Sequence, residues 1–247
     1  MWQRVRSLGV VLLWGACVPM AAADTVRVAV AANFAAPFQR IAQQFEADTG
    51  HQVEVSVGAS GKLFAQIQNG APFAVFLSAD DERPAALEKS GFAVAGTRFV
   101  YARGQLVLWS RRPNWIDAQG QVLRQGGFNK LAIANPDSAP YGRAAIETLT
   151  AMGLRETLAS RVVMGESIGQ TFHFVNSGAA ELGFIARSQL DRSAAGSAWV
   201  VPEKLHQPIL QEAILIKDQP AARALLRFLQ APAARAVIQQ AGYGVTS

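Results

Sequence analysis

Four short stretches carry the polar residues best placed to do chemistry, and each falls where a strand-like segment gives way to a helix-like one. They are Ala31-Ala32-Asn33-Phe34, Gly58-Ala59-Ser60-Gly61-Lys62, Asn135-Pro136-Asp137-Ser138-Ala139-Pro140-Tyr141-Gly142 and Gly165-Glu166-Ser167-Ile168-Gly169. A helix starts with N–H groups that have no intrahelical acceptor, and its dipole places partial positive charge there. Hydroxyls, a carboxamide and glycine-flanked N–H groups at such points suit the capture of an anion by hydrogen bonds. Taken singly, each stretch also fits a plainer role. Asn33, Ser60 and Ser167 are ordinary N-cap types, and glycine and proline make turns. Their joint occurrence in both halves of the chain is what points to a shared site.

Catalytic chemistry finds less support. Gly58 to Lys62 suggests a phosphate loop, but Ser56 stands where the first glycine is required and Leu63 follows Lys62 in place of Ser or Thr. His51, His173 and His206 are scattered, with no cysteine or second histidine at metal-ligand spacing. There is no Gly-x-Ser-x-Gly elbow. Asp80, Asp81 and Glu82, following Ser78-Ala79, read as a helix start whose acids suit the dipole. No nucleophile–base pair can be named, so the residues describe a binding protein and not an enzyme.

The elements that must position these stretches alternate along the chain. Thr25 to Val30, and then Val53, Val55 and Val57, show strand-like alternation. Phe34, Phe38, Ile41, Ala42 and Phe45 recur at helical spacing up to Gly50, as do Leu63, Phe64 and Ile67 up to Gly70. Phe73 to Leu77 is a near-continuous apolar run of the kind buried on both faces. Further strands are predicted from Leu106 to Trp109, Leu131 to Ala134, Leu182 to Ile185 and Ile209 to Ile216. Helices are predicted from Tyr141 to Met152, from near Ile168 to before Gly178, and over Pro220 to Gln240 with a break near Pro232. Strands alternating with helices predict an α/β fold with mainly parallel sheets covered on both faces. Ligands of such sheets lie beyond the carboxyl ends of the strands, where the four stretches fall.

The 247 residues are 50% hydrophobic and 17% charged, ample for a packed core. Arg4 and Arg6, an apolar stretch from Leu8 to about Met20, and Ala21-Ala22-Ala23 before Asp24 read as a cleavable export signal over residues 1–23. That stretch is shorter than the roughly 20 residues needed to span a bilayer. Cys17, the single cysteine, lies within it, and Trp14 stands where a lipoprotein signal would carry Leu, so the mature chain is expected to hold no disulfide. The formal net charge is +5. Without Arg4 and Arg6 it is about +3, with no basic run or stripe of the kind nucleic-acid binders use.

In their order along the chain, these stretches resemble the molybdate-binding proteins of bacterial ABC importers, within the type II periplasmic solute-binding protein family. The carriers are Ala31-Ala32-Asn33-Phe34, Gly58-Ala59-Ser60, Ile67 to Pro72, Phe76-Leu77-Ser78-Ala79-Asp80, Asn135-Pro136-Asp137 through Pro140-Tyr141-Gly142, and the tail from Phe228-Leu229 to Gly242-Tyr243. The resemblance covers essentially all of the chain after residue 23. It implies a two-lobed α/β fold, each lobe a mainly parallel sheet flanked by helices, with the ligand in the inter-lobe cleft. Lobe I is expected over 24–103 plus 209–247 and lobe II over 104–208, with crossings near 101–105 and 202–211.

The resemblance also implies that Asn33 and Ser60 bind molybdate or tungstate from lobe I. Tyr141 and Ile168 would bind from lobe II, largely through backbone N–H groups, and Ala32, Phe34 and Gly61 would assist. No cofactor or directly ligated metal is implied. The implied partners of this periplasmic monomer are an ABC permease and its ATPase. The sequence departs from the family pattern where Ala186 replaces a tyrosine, Asn33 replaces Ser and Ala74 replaces Asp. Protonated phosphate would need an acceptor, and Glu166 is the one obvious carboxylate that the four stretches offer, while sulfate differs from molybdate chiefly in size. A sulfate or phosphate binder, a secreted α/β hydrolase or transferase, and a sensory domain are the alternatives.

Overall fold

The computed structural model describes residues 24–190 and 195–244; the expected export signal, with Cys17, lies outside the described residues. Strand β1 (Thr25–Ala31) passes through a short 3-10 turn (Ala32–Phe34) into α1 (Ala35–Thr49), which buries Phe38, Ile41 and Phe45. Gly50 ends that helix at φ 74°, a left-handed conformation that glycine adopts without steric penalty. Then come β2 (Gln52–Gly58), α2 (Ser60–Gln68), β3 (Val75–Leu77), α3 (Glu82–Lys89) and β4 (Phe99–Gly104).

Gln105 alone separates β4 from β5 (Leu106–Ser110). The chain continues through α4 (Val122–Gln125), β6 (Leu131–Ala134), α5 (Pro140–Ala151), α6 (Arg155–Leu158), β7 (Val162–Gly165), α7 (Ile168–Asn176), β8 (Leu182–Ala186) and β9 (Ser197–Val200). Residues 201–208 lead back to β10 (Ile209–Leu215), followed by α8 (Pro220–Leu229) and α9 (Pro232–Gln240). No described helix is long and apolar enough to cross a membrane.

The strands form two five-stranded sheets, ordered β2-β1-β3-β10-β4 and β7-β6-β8-β5-β9. Each is the base of one lobe. The first three strands of each order are parallel, and the remaining pairings are antiparallel. The sheets are therefore mixed, where alternation alone predicts mainly parallel ones. The reason is the double crossing: the chain leaves one lobe along β4 and returns along β10, and it enters the other along β5 and leaves along β9. Out-and-back strands that pair side by side run in opposite directions.

Each lobe has its own apolar interior. In the first, Val26, Val28 and Val30 pack with Phe34, Phe38, Phe45, Leu225 and Leu229. In the second, Leu106, Leu108, Leu131 and Ile133 pack with Leu149 and Phe184. Tight interiors on either side leave the facing ends of the strands as the place where the lobes meet.

Candidate functional site

Ala31 lies beside Gly58 at the ends of β1 and β2, and Ala134 lies beside Gly165 at the ends of β6 and β7. Each lobe thus delivers two strand ends, and the helix or turn after each, to the same face. Asn33, Ser60, Tyr141 and Ile168 line one small cavity of about 10 Å³, whose other walls are alanines, Gly58 and Pro140. Among the described residues, none that lines it is charged.

Ser60 is not a helix cap; Ala59 occupies that position. The Ser60 hydroxyl, 1% exposed, accepts a hydrogen bond from the Ala79 N–H at 2.9 Å. Its own proton has no acceptor among the described residues and is available to a guest. In α5 the first residue, Pro140, has no N–H, so Tyr141 presents the leading backbone donor. The backbone N–H groups of Ser60, Tyr141 and Ile168, all first-turn positions, make no hydrogen bond within the described chain. Ser167 does cap its helix, accepting from the Gln170 N–H at 3.3 Å.

Asn33 sits in the 3-10 turn and not at a cap. Its Nδ2 donates to Gln211 Oε1 at 2.8 Å and to the Tyr243 hydroxyl at 2.9 Å, and its Oδ1 is buried without a partner. Gln211, fully buried in β10, also accepts from the Tyr101 hydroxyl at 3.0 Å and donates to the Tyr141 hydroxyl at 3.0 Å. Burial pushes the phenols of Tyr101, Tyr141 and Tyr243 above their ordinary range, so all three stay protonated at neutral pH.

Two of the three expected assistants are placed elsewhere. Ala32 borders the cavity. Phe34, expected to assist through its backbone N–H, is not among the lining residues, and its ring is buried against Phe38, Tyr101 and Tyr243. The Gly61 N–H is engaged by the Ser138 carbonyl at 2.8 Å, so it is not free for a guest. That glycine instead lets the lobes approach, since a Cβ there would lie 2.9 Å from Ser138 Cα. Ala186 is buried in the second lobe and is not part of the cavity wall.

Glu166 forms an ion pair with Lys62 across the cleft mouth and is 65% exposed, so it supplies no acceptor to the cavity. Arg143 bridges to Glu82 at 2.7 Å, and Arg83 Nη2 donates to the Asp137 carbonyl at 3.0 Å. These bonds join α3 of the first lobe to α5 and its leading loop in the second. The hydrogen bond from Arg143 holds the Glu82 carboxyl below its usual range. Sequence reasoning missed Gln211, Ser188, whose hydroxyl donates to the Asn33 carbonyl at 2.8 Å, and the Ala79 N–H that holds the Ser60 hydroxyl. One signal was present: a glutamine and a glutamate interrupt the otherwise apolar Ile209–Leu215 strand.

Two α/β lobes, crossed twice by the chain and closed over an uncharged, donor-lined cavity, define a two-lobed solute-binding protein. A family model for bacterial extracellular solute-binding proteins matches residues 26–244, and the chain belongs to that family. It is 52% identical to the molybdate-binding protein ModA of Azotobacter vinelandii, over 98% of this chain and 96% of that one. It is 44% identical to the ModA of Rhodobacter capsulatus, over 97% and 96% of the two chains. The solved structure of the Azotobacter vinelandii periplasmic molybdate-binding protein superposes with a TM-score of 0.86 at 42% identity, covering 90% of this chain and all (100%) of that one.

Proposed function

We propose that this protein captures molybdate, or its near-isostere tungstate, in the inter-lobe cavity and delivers it to the permease and ATPase of an ABC importer. It acts as a periplasmic monomer exported by its N-terminal signal. Asn33, Ser60, Tyr141 and Ile168 are the proposed ligand contacts, with Ala32 N–H assisting. The observation that carries this reading is the cavity itself: donors from both lobes converge on a space with no charged lining side chain. A tetrahedral dianion there is held by aligned dipoles, each charge-assisted hydrogen bond being worth about 1.5–3 kcal/mol. A protonated oxyanion such as hydrogen phosphate finds no carboxylate to accept its proton. The names of the two ModA relatives reported above support molybdate as the guest.

Isothermal calorimetry of the mature protein tests this. Molybdate and tungstate should bind tightly while sulfate and phosphate give little heat. At a concentration about 1,000 times Kd, the ligand should add roughly 4 kcal/mol of stability and raise Tm by about 8–16 °C. No heat and no thermal shift with either metal oxyanion would end the proposal, and a response to sulfate alone would reassign the guest.

A further inference from the structure

Asn33 combines full burial with a polarity that leaves one atom stranded. Both protons of its carboxamide are directed to Gln211 and Tyr243, and Oδ1 has no partner. An oxygen at that end would also repel an oxyanion. Turning the Asn33 and Gln211 amides end for end exchanges their oxygen and nitrogen while every heavy-atom distance is kept. Gln211 Nε2 then donates to Asn33 Oδ1 and to the Tyr101 hydroxyl, whose own proton goes to the Ser78 carbonyl at 3.1 Å. Gln211 Oε1 accepts from the Tyr141 hydroxyl, and Tyr243, 2.9 Å from Asn33, turns its single proton to Oδ1 while Ser188 Oγ donates to the Asn33 carbonyl at 2.8 Å. This arrangement gives up the Tyr243 bond to the Asn33 carbonyl at 2.8 Å and leaves the Asn33 NH2 needing an acceptor.

We infer that Gln211 is a positioning residue for the bound oxyanion: by linking Asn33 of one lobe to Tyr141 of the other, it turns the Asn33 NH2 toward the guest. Resting on the oxyanion reading above, this assignment gives Gln211 no contact with the ligand, since it does not line the cavity. Local geometry holds the side chain in place. The β10–β4 register shifts between Gln211 and Glu212, an irregularity that re-aims the side chain at this point of the strand. Gly104, the last residue before the first crossing, leaves the space it needs: a Cβ there would stand 2.7 Å from Gln211 Nε2 and collide with the Tyr141 hydroxyl. One amide therefore touches both lobes beside a crossing strand, so closure of the cleft and orientation of the Asn33 donor are completed together.

A double-mutant cycle separates positioning from mere packing. Gln211→Met keeps the length and removes the polarity. Acting through Asn33, it should weaken molybdate binding about tenfold in the wild-type background, or 1.4 kcal/mol. In an Asn33→Ala background the same change should cost less than twofold. Equal losses in both backgrounds would overturn the assignment and leave Gln211 a packing residue. Neutron diffraction of the molybdate-bound wild-type protein reads the orientation without any variant: deuterium on the ligand-facing atom of Asn33 is expected, and a bare oxygen there overturns the inference. Wild-type protein that takes up no molybdate overturns this inference and the functional reading together, whereas tight binding with an additive cycle overturns this inference alone.

Discussion

Replacing Ser60 by alanine perturbs two bonds that can be measured apart. The hydroxyl accepts from the Ala79 N–H at 2.9 Å, and its own proton is free for the guest. Losing that charge-assisted donor should cost about 1.5–3 kcal/mol of binding, a rise in Kd of roughly 10- to 150-fold. The Ala79 N–H, on a residue 2% exposed, is left without an acceptor in the empty protein. An orphaned buried donor costs about 1–3 kcal/mol, which for a chain of this size lowers Tm by about 2–12 °C. Calorimetric titration with molybdate gives the first quantity, and scanning calorimetry of the ligand-free protein gives the second. A lowered Tm with an unchanged Kd would refute the reasoning, because it would leave Ser60 a purely structural partner of Ala79.

Asn33→Ala should weaken molybdate binding by about 1–3 kcal/mol, and it should also lower Tm because Gln211 and Tyr243 each lose a buried partner; an unchanged Kd in titration would remove Asn33 from the site. Gly104→Ala places a methyl against Tyr141 and Gln211, and overpacking of about 1–3 kcal/mol should raise Kd by roughly 5- to 150-fold. Fluorescence titration returning the wild-type Kd would show that the crossing yields without effect. Glu82 has its carboxyl held low by Arg143 across the cleft. Its bridge is therefore fully formed above the ordinary carboxylate value and is lost as pH falls through the lowered one. Molybdate affinity should fall across that acid range in the wild type, and Arg143→Met should flatten the fall; parallel pH profiles would exclude the bridge as a latch.

Local pattern was enough for the elements whose environment is simple. The alternation of Val26, Val28 and Val30, the Phe34 to Phe45 stripe and the stop at Gly50 each report burial or backbone conformation within a few residues. The same holds for the four strand-to-helix junctions, since a helix start, capped or not, is a local feature. The two edge strands of the second sheet were harder. β7 is half-buried at best except for Gly165, and β9 buries only Trp199, so neither shows a period that could be read. Strand direction was also hidden, because residues do not record that the chain crosses between lobes and returns.

What the residues of the site do was decided by partners far away in sequence. Ser60 is a plausible cap until Ala79 takes its lone pair, and Gly61 is a plausible donor until Ser138 of the other lobe takes its N–H. Gln211 is one polar residue in an apolar strand until it meets Asn33, 178 positions earlier, and Tyr141, 70 positions earlier. By itself the sequence determined which types of donor stand at which helix starts, because propensity and capping act within a turn of chain. Only the tertiary structure decided which of those donors remain free, because a hydrogen bond has one proton to give and packing chooses its recipient.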